Sequence, residues 1–273
     1  MTARTTLLSA ILIGGAAMAL SIITATGASA ACTSADLNTQ RGWQGCDLTG
    51  ANLGGANLSG VDLSGANLTD ANLVGANLSN ANLHAANLTL ARLNNANLNG
   101  ANLNGAKLGG ADPMLGVDLS GASLIGASLI GTNLLAASLL ETNFSRADLR
   151  GVTIGPISSY NGQMQASNAN FSGANLSGAT LQRLMLATAN FSEANLTGAT
   201  LSKVMLTAAN FTWANLSGAT LSGVNMAKLD LGGADFTGAA VDGLVLTGAS
   251  LSRATWVDGS VCADLSIGEC KPR

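Results

Sequence analysis

The sequence predicts an all-β repeat structure, and three observations predict it. The 273 residues are 47% hydrophobic but only 3% aromatic and 10% charged, which excludes disorder from low hydrophobicity and disfavours an ordinary globular core. From Leu48 the motif Ala-Asn-Leu-x-Gly recurs every five residues, as at 51–55 and 56–60. Residues 169–256 also repeat every twenty. Together these periods indicate a chain that winds in regular short segments.

The five-residue period favours extended segments joined by tight corners. Five residues rotate a helix by about 500°, so its leucines would not form one stripe. In an extended segment the Ala and the Leu, two positions apart, point to one side and the intervening Asn points to the other. Gly tolerates positive φ, and Ser, Thr and Asn bond nearby backbone, so the remaining two residues suit a corner.

These motifs resemble the pentapeptide-repeat family, whose pattern is A-(D/N)-L-x-x. The resemblance implies a right-handed quadrilateral β-helix, a β-solenoid in which the central Leu or Phe and the preceding Ala face inward. Central residues run from Leu48 to Leu108, from Leu119 to Ile154 and from Phe171 to Trp256. Four repeats per turn give about ten coils, and strands about 4.8 Å apart give a rod roughly 45–50 Å long.

The last of these three stretches, from Phe171 to Trp256, provides separate support for four sides. Phe171, Phe191 and Phe211 are spaced by twenty residues, and so are Leu184-Met185-Leu186 and Val204-Met205-Leu206. Residues twenty apart should lie above one another if each coil has four five-residue sides. We therefore expect an interior column of Phe side chains.

The register breaks twice. Leu119 lies eleven residues after Leu108, one more than two repeats, and the interval contains Pro113, which cannot donate to a strand ladder; we interpret this as a bulge. Between Ile154 and Phe171 the motif is absent, and residues 155–168 are predicted to be a loop or kink. For both breaks, an insertion tolerated at a corner is favoured over a functional hinge. The repeat blocks are thus predicted at 48–154, with a register shift near 109–118, and at 169–256.

Residues 1–30 are predicted to be a signal peptide. Arg4 precedes an apolar run from Leu7 to Ala25, and Ala28-Ser29-Ala30 forms an A-x-A cleavage site. An uncleaved membrane anchor is the alternative, because about 18 apolar residues can span a bilayer. We expect export to a periplasm, a lumen or the extracellular space, without a stable membrane span after cleavage.

Four cysteines flank the repeats, which suits an exported chain. Of the three possible pairings, their positions favour Cys32–Cys46 and Cys262–Cys270, so we expect disulfide-stapled end caps at 31–47 and 257–273. No C-x-x-C spacing occurs, and the single histidine, His84, is distant in sequence, which disfavours a zinc site.

Catalysis is not expected. A β-helix filled by its own Leu and Ala offers no apolar pocket with convergent polar groups. His84 and scattered carboxylates form neither a triad nor a paired acid and base, and His84 is predicted to be a solvated corner residue. No phosphate-binding or dinucleotide-binding glycine motif is present, so the sequence predicts no enzyme activity, cofactor or metal.

Surface exceptions are the candidate interaction residues. One predicted band occupies the outward position after the central residue and comprises Ile125, Ile130, Leu135 and Leu140. A local shift of register that buries them is the alternative. A second outward column comprises Met185, Met205 and Val245, on a side where Leu184, Val204, Val224 and Leu244 replace the interior Ala. Exposed aliphatic clusters often mark a contact with a partner.

Three functions are compatible with these features. The favoured one is an exported non-enzymatic scaffold for protein–protein contact or envelope architecture, with an unidentified protein partner or self-association. Some members of the resembled family imitate DNA and inhibit type II topoisomerases, but the formal charge of −3 and the neutral Asn positions depart from that acidic pattern. The third is surface binding to ice or carbohydrate by two hydroxyl arrays, Thr49, Thr69, Thr89 and Thr180, Thr200, Thr220.

Overall fold

The chain forms parallel β-bridges between residues one coil apart. The computed structural model describes residues 43–108, 117–156 and 163–272. In the regular part, the residue before each central Leu pairs with its counterpart twenty positions later, as in Asn77 with Asn97. A two-residue turn separates each bridge from the next. The predicted alternation of short sides and corners is therefore confirmed.

Four such ladders run along the rod, and we number the sides by them. Side 2 begins at Asn52, side 3 at Asn57 and side 4 at Asp62. Side 1 can be followed through ten coils: Asp47, Asn67, Asn87, Lys107, Asn133, Thr153, Thr180, Thr200, Thr220 and Ala240. The fold is thus the right-handed quadrilateral β-helix that the resemblance implied, at about the predicted length.

Where pairing is continuous, the bridges extend into short strands. Side 1 carries a parallel sheet of β1 (Asn133–Leu135), β2 (Thr153–Gly155), β4 (Thr180–Gln182), β6 (Thr200–Ser202) and β7 (Thr220–Ser222). Side 2 carries β3 (Met164–Gln165), paired in parallel with β5 (Leu184–Met185). No helix occurs in residues 43–108, 117–156 or 163–272.

The core is a continuous column of inward side chains. Leu78 and Ala76 are fully buried, while Asn77 between them faces out and is only partly buried. On side 3, Phe144, Phe171, Phe191 and Phe211 stack with ring centroids 5.2, 4.8 and 4.7 Å apart and planes within 14°. The predicted Phe column is therefore present and has a fourth member.

The corners need backbone conformations with positive φ. Gly75 has φ 65° and no neighbour within 4 Å of an added Cβ, so its glycine serves the backbone and not the packing. Asn80 occupies the equivalent corner one side later with φ 57°. The next side is tied back by the amide of Ala81, which donates to the carbonyl of Leu78 at 3.0 Å.

Both register breaks lie between sides. The amide of Val117 donates to the carbonyl of Leu108 at 3.1 Å, the bond that closes an ordinary corner, so this register shift lies at a corner, in agreement with the favoured interpretation of an insertion tolerated there. After Gly155 the helix resumes on side 2 at Met164, whereas we placed its return at residue 169. Met164 and Ala166 are buried in this side, although neither belongs to a recognisable motif.

The β-helix also begins earlier in the chain than predicted. Trp43, which we assigned to the N-terminal cap, is buried as an interior residue, and Gly45 donates its amide to the carbonyl of Ser64 at 2.8 Å like other corner residues. Cys46 is disulfide-bonded, and its predicted partner Cys32 lies outside the described residues. The predicted signal peptide, 1–30, also lies outside them. The described residues contain no helix that is long and apolar enough to cross a membrane.

Candidate interaction surface

The outward Asn residues satisfy one another. The Oδ1 of Asn77 accepts the amide of Ser79 at 3.2 Å, and its Nδ2 donates to Asn57 Oδ1 one coil below at 3.1 Å. Asn97 Nδ2 donates in turn to Asn77 Oδ1 at 3.3 Å. These columns therefore stabilise the rod, and few of their hydrogen-bonding groups remain for a ligand.

The first predicted hydroxyl array is likewise engaged within the rod. The hydroxyl of Thr69 donates to Asn67 Oδ1 at 2.6 Å and accepts from Asn87 Nδ2 at 3.0 Å. Thr49 makes the same two kinds of contact, with Asp47 and Asn67. The second array, Thr180, Thr200 and Thr220, faces outward on the sheet of side 1.

Titratable groups are dispersed. Arg150 donates to Asp148 at 2.7 Å, and this hydrogen bond holds the pKa of the Asp148 carboxyl below its usual range despite partial burial. Arg253 pairs with Asp264 at 3.0 Å near the C-terminal end. His84 is exposed at a corner. Within residues 43–108, 117–156 and 163–272, no three His, Cys, Asp or Glu side chains are placed to hold a metal ion.

The predicted band does not form one surface. Ile125, Ile130 and Leu140 are exposed and Leu135 is half-buried, so the outward assignment agrees with the structure. However, the four residues lie on sides 3, 4, 1 and 2 in turn, and so encircle the rod. A flat partner can touch only one or two sides, so a contact that uses all four side chains would have to surround the rod.

The Met column on side 2 does form a surface. Met205 is 46% and Val245 42% exposed, and half-buried Met185 lies one coil below Met205 with its Sδ 3.2 Å from Gln165 Nε2. Asn225 separates Met205 from Val245. All these residues lie on one side, so a single partner can contact them together.

The corner that leads into side 2 differs in its hydrogen bonding where bulky residues replace the inward Ala. In the first block Ala71 donates its amide to the carbonyl of Leu68 at 3.0 Å. Val204, Val224 and Leu244 occupy the position of that Ala, and none of them makes the equivalent bond in the described chain. The corner that leads into side 2 therefore lacks this hydrogen bond in the coils that carry these three residues.

Side 2 also contains a seam between two coils. Leu186 donates to the carbonyl of Met205, and Thr188 to that of Thr207, both at 2.8 Å. One coil later the amides of Leu206 and Ala208 have no acceptor within hydrogen-bonding geometry in the described chain, although Met205 and Asn225 still form a bridge. A depression of about 340 Å³ lies here, lined by Val204, Met205, Leu206, Thr207, Ala208, Asn225, Ala227 and Lys228.

Further exposed apolar residues escaped the sequence analysis. Trp213 is 60% exposed, and its ring lies against Gly233 one coil above, where an added Cβ would fall 2.3 Å from the ring. Leu265 and Ile267 project from the C-terminal segment. Trp213 occupies a corner position that elsewhere holds Gly, Asn, Ala, Leu, Thr or charged residues. This was a usable signal, because it is the one aromatic residue at such a corner in the described chain.

The C-terminal segment is a partial cap held by a disulfide. Cys262 and Cys270 are joined with an S–S distance of 2.06 Å. Residues 261 and 267 pair antiparallel with Thr255 and Ser250 of the last coil. The chain thus reverses direction over sides 3 and 4.

The fold and its surface define a solenoid scaffold that has a column of exposed apolar residues on side 2. The sequence model for pentapeptide repeats matches residues 46–84, 76–112, 116–154, 167–202, 186–223 and 205–240. The chain therefore belongs to the pentapeptide-repeat family.

Solved structures of that family are similar to the chain. HetL of Nostoc sp. strain PCC 7120, a pentapeptide repeat protein involved in heterocyst differentiation regulation, is 32% identical, with 79% of this chain and 86% of HetL covered and a TM-score of 0.31. A pentapeptide repeat protein of the Arabidopsis thaliana thylakoid lumen is 28% identical, over 42% of this chain and 68% of its own, with a TM-score of 0.24. QnrB1, a plasmid-mediated fluoroquinolone resistance protein, is 21% identical over 71% and 77%, with a TM-score of 0.22. No curated protein matches the chain.

Proposed function

We propose that this protein is an exported, non-enzymatic scaffold that binds another protein through side 2 of its C-terminal block. The observation that carries the proposal is the column of Met185, Met205 and Val245, in outward positions that are polar elsewhere on most coils. Unbranched Met side chains adapt to varied partner surfaces, and exposed apolar columns with polar surroundings are typical of contact sites.

Two features support the proposal of export. The leader has the charged, apolar and small-residue regions of a signal peptide. The Cys262–Cys270 disulfide is of a kind that persists in oxidising compartments. Fractionation of cells that express the full chain, with mass spectrometry of its N-terminus, tests this part. A mature chain beginning at Ala31 outside the cytoplasm is expected, and an intact cytoplasmic chain would contradict export.

Site-specific photocrosslinking tests the contact. A photoreactive residue in place of Met205 should yield a discrete adduct in the source cell, with a second copy or another protein. The matched control is the same residue in place of Asn215, which holds the equivalent outward position on the opposite side 4. The doubly substituted chain Met205→Ser, Val245→Ser should lose the interaction but keep its melting temperature. Equal crosslinking at both positions would refute a specific side-2 contact.

A further inference from the structure

The C-terminal cap reproduces the hydrogen bonds of a further coil on two sides only. On side 3, Leu251 donates its amide to the carbonyl of Ser266 at 2.8 Å, and Gly268 donates to the carbonyl of Ala249 at 2.9 Å. On side 4, the amide of Trp256 donates to the carbonyl of Ser260, and that of Cys262 to the carbonyl of Ala254, both at 2.8 Å. Sides 3 and 4 of the last coil are therefore closed.

Sides 1 and 2 of the last coil are open in the described chain. One coil below, Leu221 donates to the carbonyl of Ala240 and Met226 to that of Val245, both at 2.8 Å. The corresponding amides of the last coil, those of Val241 and Leu246, have no acceptor among the described residues. Unpaired strand edges of this kind are templates for another extended chain.

The interior is also uncovered there. Leu221, Val224 and Met226 are fully buried. Their counterparts one coil later are only half-buried, although they pack against the same core: Val241, Leu244 and Leu246. The open sides thus offer backbone donors and acceptors beside an exposed apolar layer.

We propose that sides 1 and 2 of the last coil bind an extended segment of a partner protein by β-strand addition. The segment runs along one side, bends at the corner and continues along the next, with apolar residues two positions apart facing the rod. This rests on the proposed role in protein contact and identifies a second attachment point for it. Val245 links the edge to the exposed column of side 2.

The position of the cap favours a single extended segment, and not a second rod, as the partner that pairs with the open edge. The cap lies on sides 3 and 4 and extends beyond the level of the open sides 1 and 2. It adds one strand layer on side 3 and two on side 4, where Ala263 donates its amide to the carbonyl of Lys271 at 2.7 Å. A second copy stacked end to end would meet the cap before its backbone reached Val241. One chain can lie beside the cap and pair with the free edge.

A fluorescent peptide that copies residues 219–228 provides the probe, because this segment lies along sides 1 and 2 one coil below. Saturable binding to the purified protein, followed by fluorescence anisotropy, is expected. A peptide with Asp at the positions of Leu221 and Val224 should not bind. Absence of saturable binding by the native peptide would overturn the proposal.

Val241→Pro removes the open donor, which has no partner in the described chain, and replaces the half-buried Val side chain with another apolar one; Pro is tolerated at strand edges. It should weaken peptide binding at least tenfold with an unchanged melting temperature. Ile267→Ser, on the outer face of the cap, is the matched control and should bind normally. A folded Val241→Pro protein that binds like the wild type would contradict strand addition.

Hydrogen exchange provides a test that needs no variant. The amides of Val241 and Leu246 should gain protection when the peptide is added, and unchanged exchange at saturating peptide would overturn the proposal. Sedimentation of the protein alone distinguishes the two possible partners of the open edge. A dimer that Val241→Pro abolishes would identify the partner as a second copy and not an extended segment of another protein. None of these outcomes alters crosslinking through Met205, so failure here is distinguishable from failure of the proposed side-2 contact.

Discussion

The two blocks of the rod use the same five-residue motif but are stabilised differently. In residues 43–108 amide side chains form ladders between coils, as in Asn57, Asn77 and Asn97. In residues 163–256 one such contact is present among the described residues, Asn195 to Asn175 at 3.2 Å, and stacked Phe rings fill side 3. The motif therefore fixes which residues face in and out, and leaves open whether polar or aromatic columns join the coils.

The largest expected effect tests the inward and outward assignment on which the comparison depends. Leu78→Asp places a carboxylate in a fully buried position without a partner, so we expect a loss of several kcal/mol in the free energy of unfolding. Asn77→Asp loses one donated hydrogen bond, at a cost of about 1 kcal/mol. Urea midpoints of the two variants provide the measurement, and equal losses would contradict the assignment.

The aromatic column of the second block should be the next most sensitive. Phe191→Leu removes stacked contacts to Phe171 and Phe211, each contributing about 0.5–1.5 kcal/mol, so a loss of about 1–3 kcal/mol is expected. Leu98→Met in the first block, a change that conserves volume, should cost less than about 1.5 kcal/mol. Chemical denaturation of both variants decides the matter. If Phe191→Leu is no more costly than Leu98→Met, stacking does not distinguish the blocks.

The third largest loss of stability is expected from substituting a corner glycine in the second block, where two glycines form a matched pair. Gly233 and Gly238 have φ 69° and 67°, so an Ala at either position is strained by about 1 kcal/mol. Only at Gly233 does the added Cβ meet the ring of Trp213. Gly233→Ala should therefore destabilise more than Gly238→Ala and also shift the fluorescence of Trp213. Equal melting temperatures with an unchanged emission maximum would show that the ring does not rest on this corner.

The fourth and smallest expected effect is a loss of stability in acid, which should arise mainly in the first block, residues 48–154. Burial raises the pKa of Asp118, but hydrogen bonds from Ser120 and Asn94 and the charge of Arg92 together bring it below its ordinary value. Burial also raises the pKa of Asp62, and hydrogen bonds from Gln44, Ser64 and Asn82 together lower it further than burial raises it. Arg150 lowers the pKa of Asp148. A lowered pKa in the folded chain means that the ionised carboxylates stabilise it above their ordinary value of 3.8 and that this contribution is lost as the pH falls through the folded pKa.

Melting temperatures between about pH 6 and pH 2 provide the measurement. Asp148→Asn should reduce the slope of melting temperature against pH in the acid range, because one depressed titration is removed. A steeper slope for Asp148→Asn would have the wrong sign for this interpretation.

The sequence predicted the fold because Ala, Asn and Leu each have one role at a fixed spacing, and that spacing sets both the side and the direction of each side chain. It could not place Met164 and Ala166, since their side lacks the motif and is specified by pairing with Leu184 and Met185. Nor could it reveal the seam beside Asn225 or the open edge at Val241, because both depend on how well successive coils meet. The sequence did place the band of Ile125, Ile130, Leu135 and Leu140 outward on four successive sides, because the five-residue spacing alone sets both properties.

The reversal of the chain in the C-terminal cap ends the parallel coiling of the described β-helix on sides 3 and 4. A coil that pairs in parallel with the previous one leaves an edge able to receive another, so a solenoid built from one motif contains no inherent end. The antiparallel pairing of Ser250 with Ile267 and of Thr255 with Val261 presents an edge of different hydrogen-bond spacing, on which a parallel coil cannot continue in register. Chain reversal thus acts as a termination signal, and a family member could change its number of coils by insertion or deletion anywhere before it.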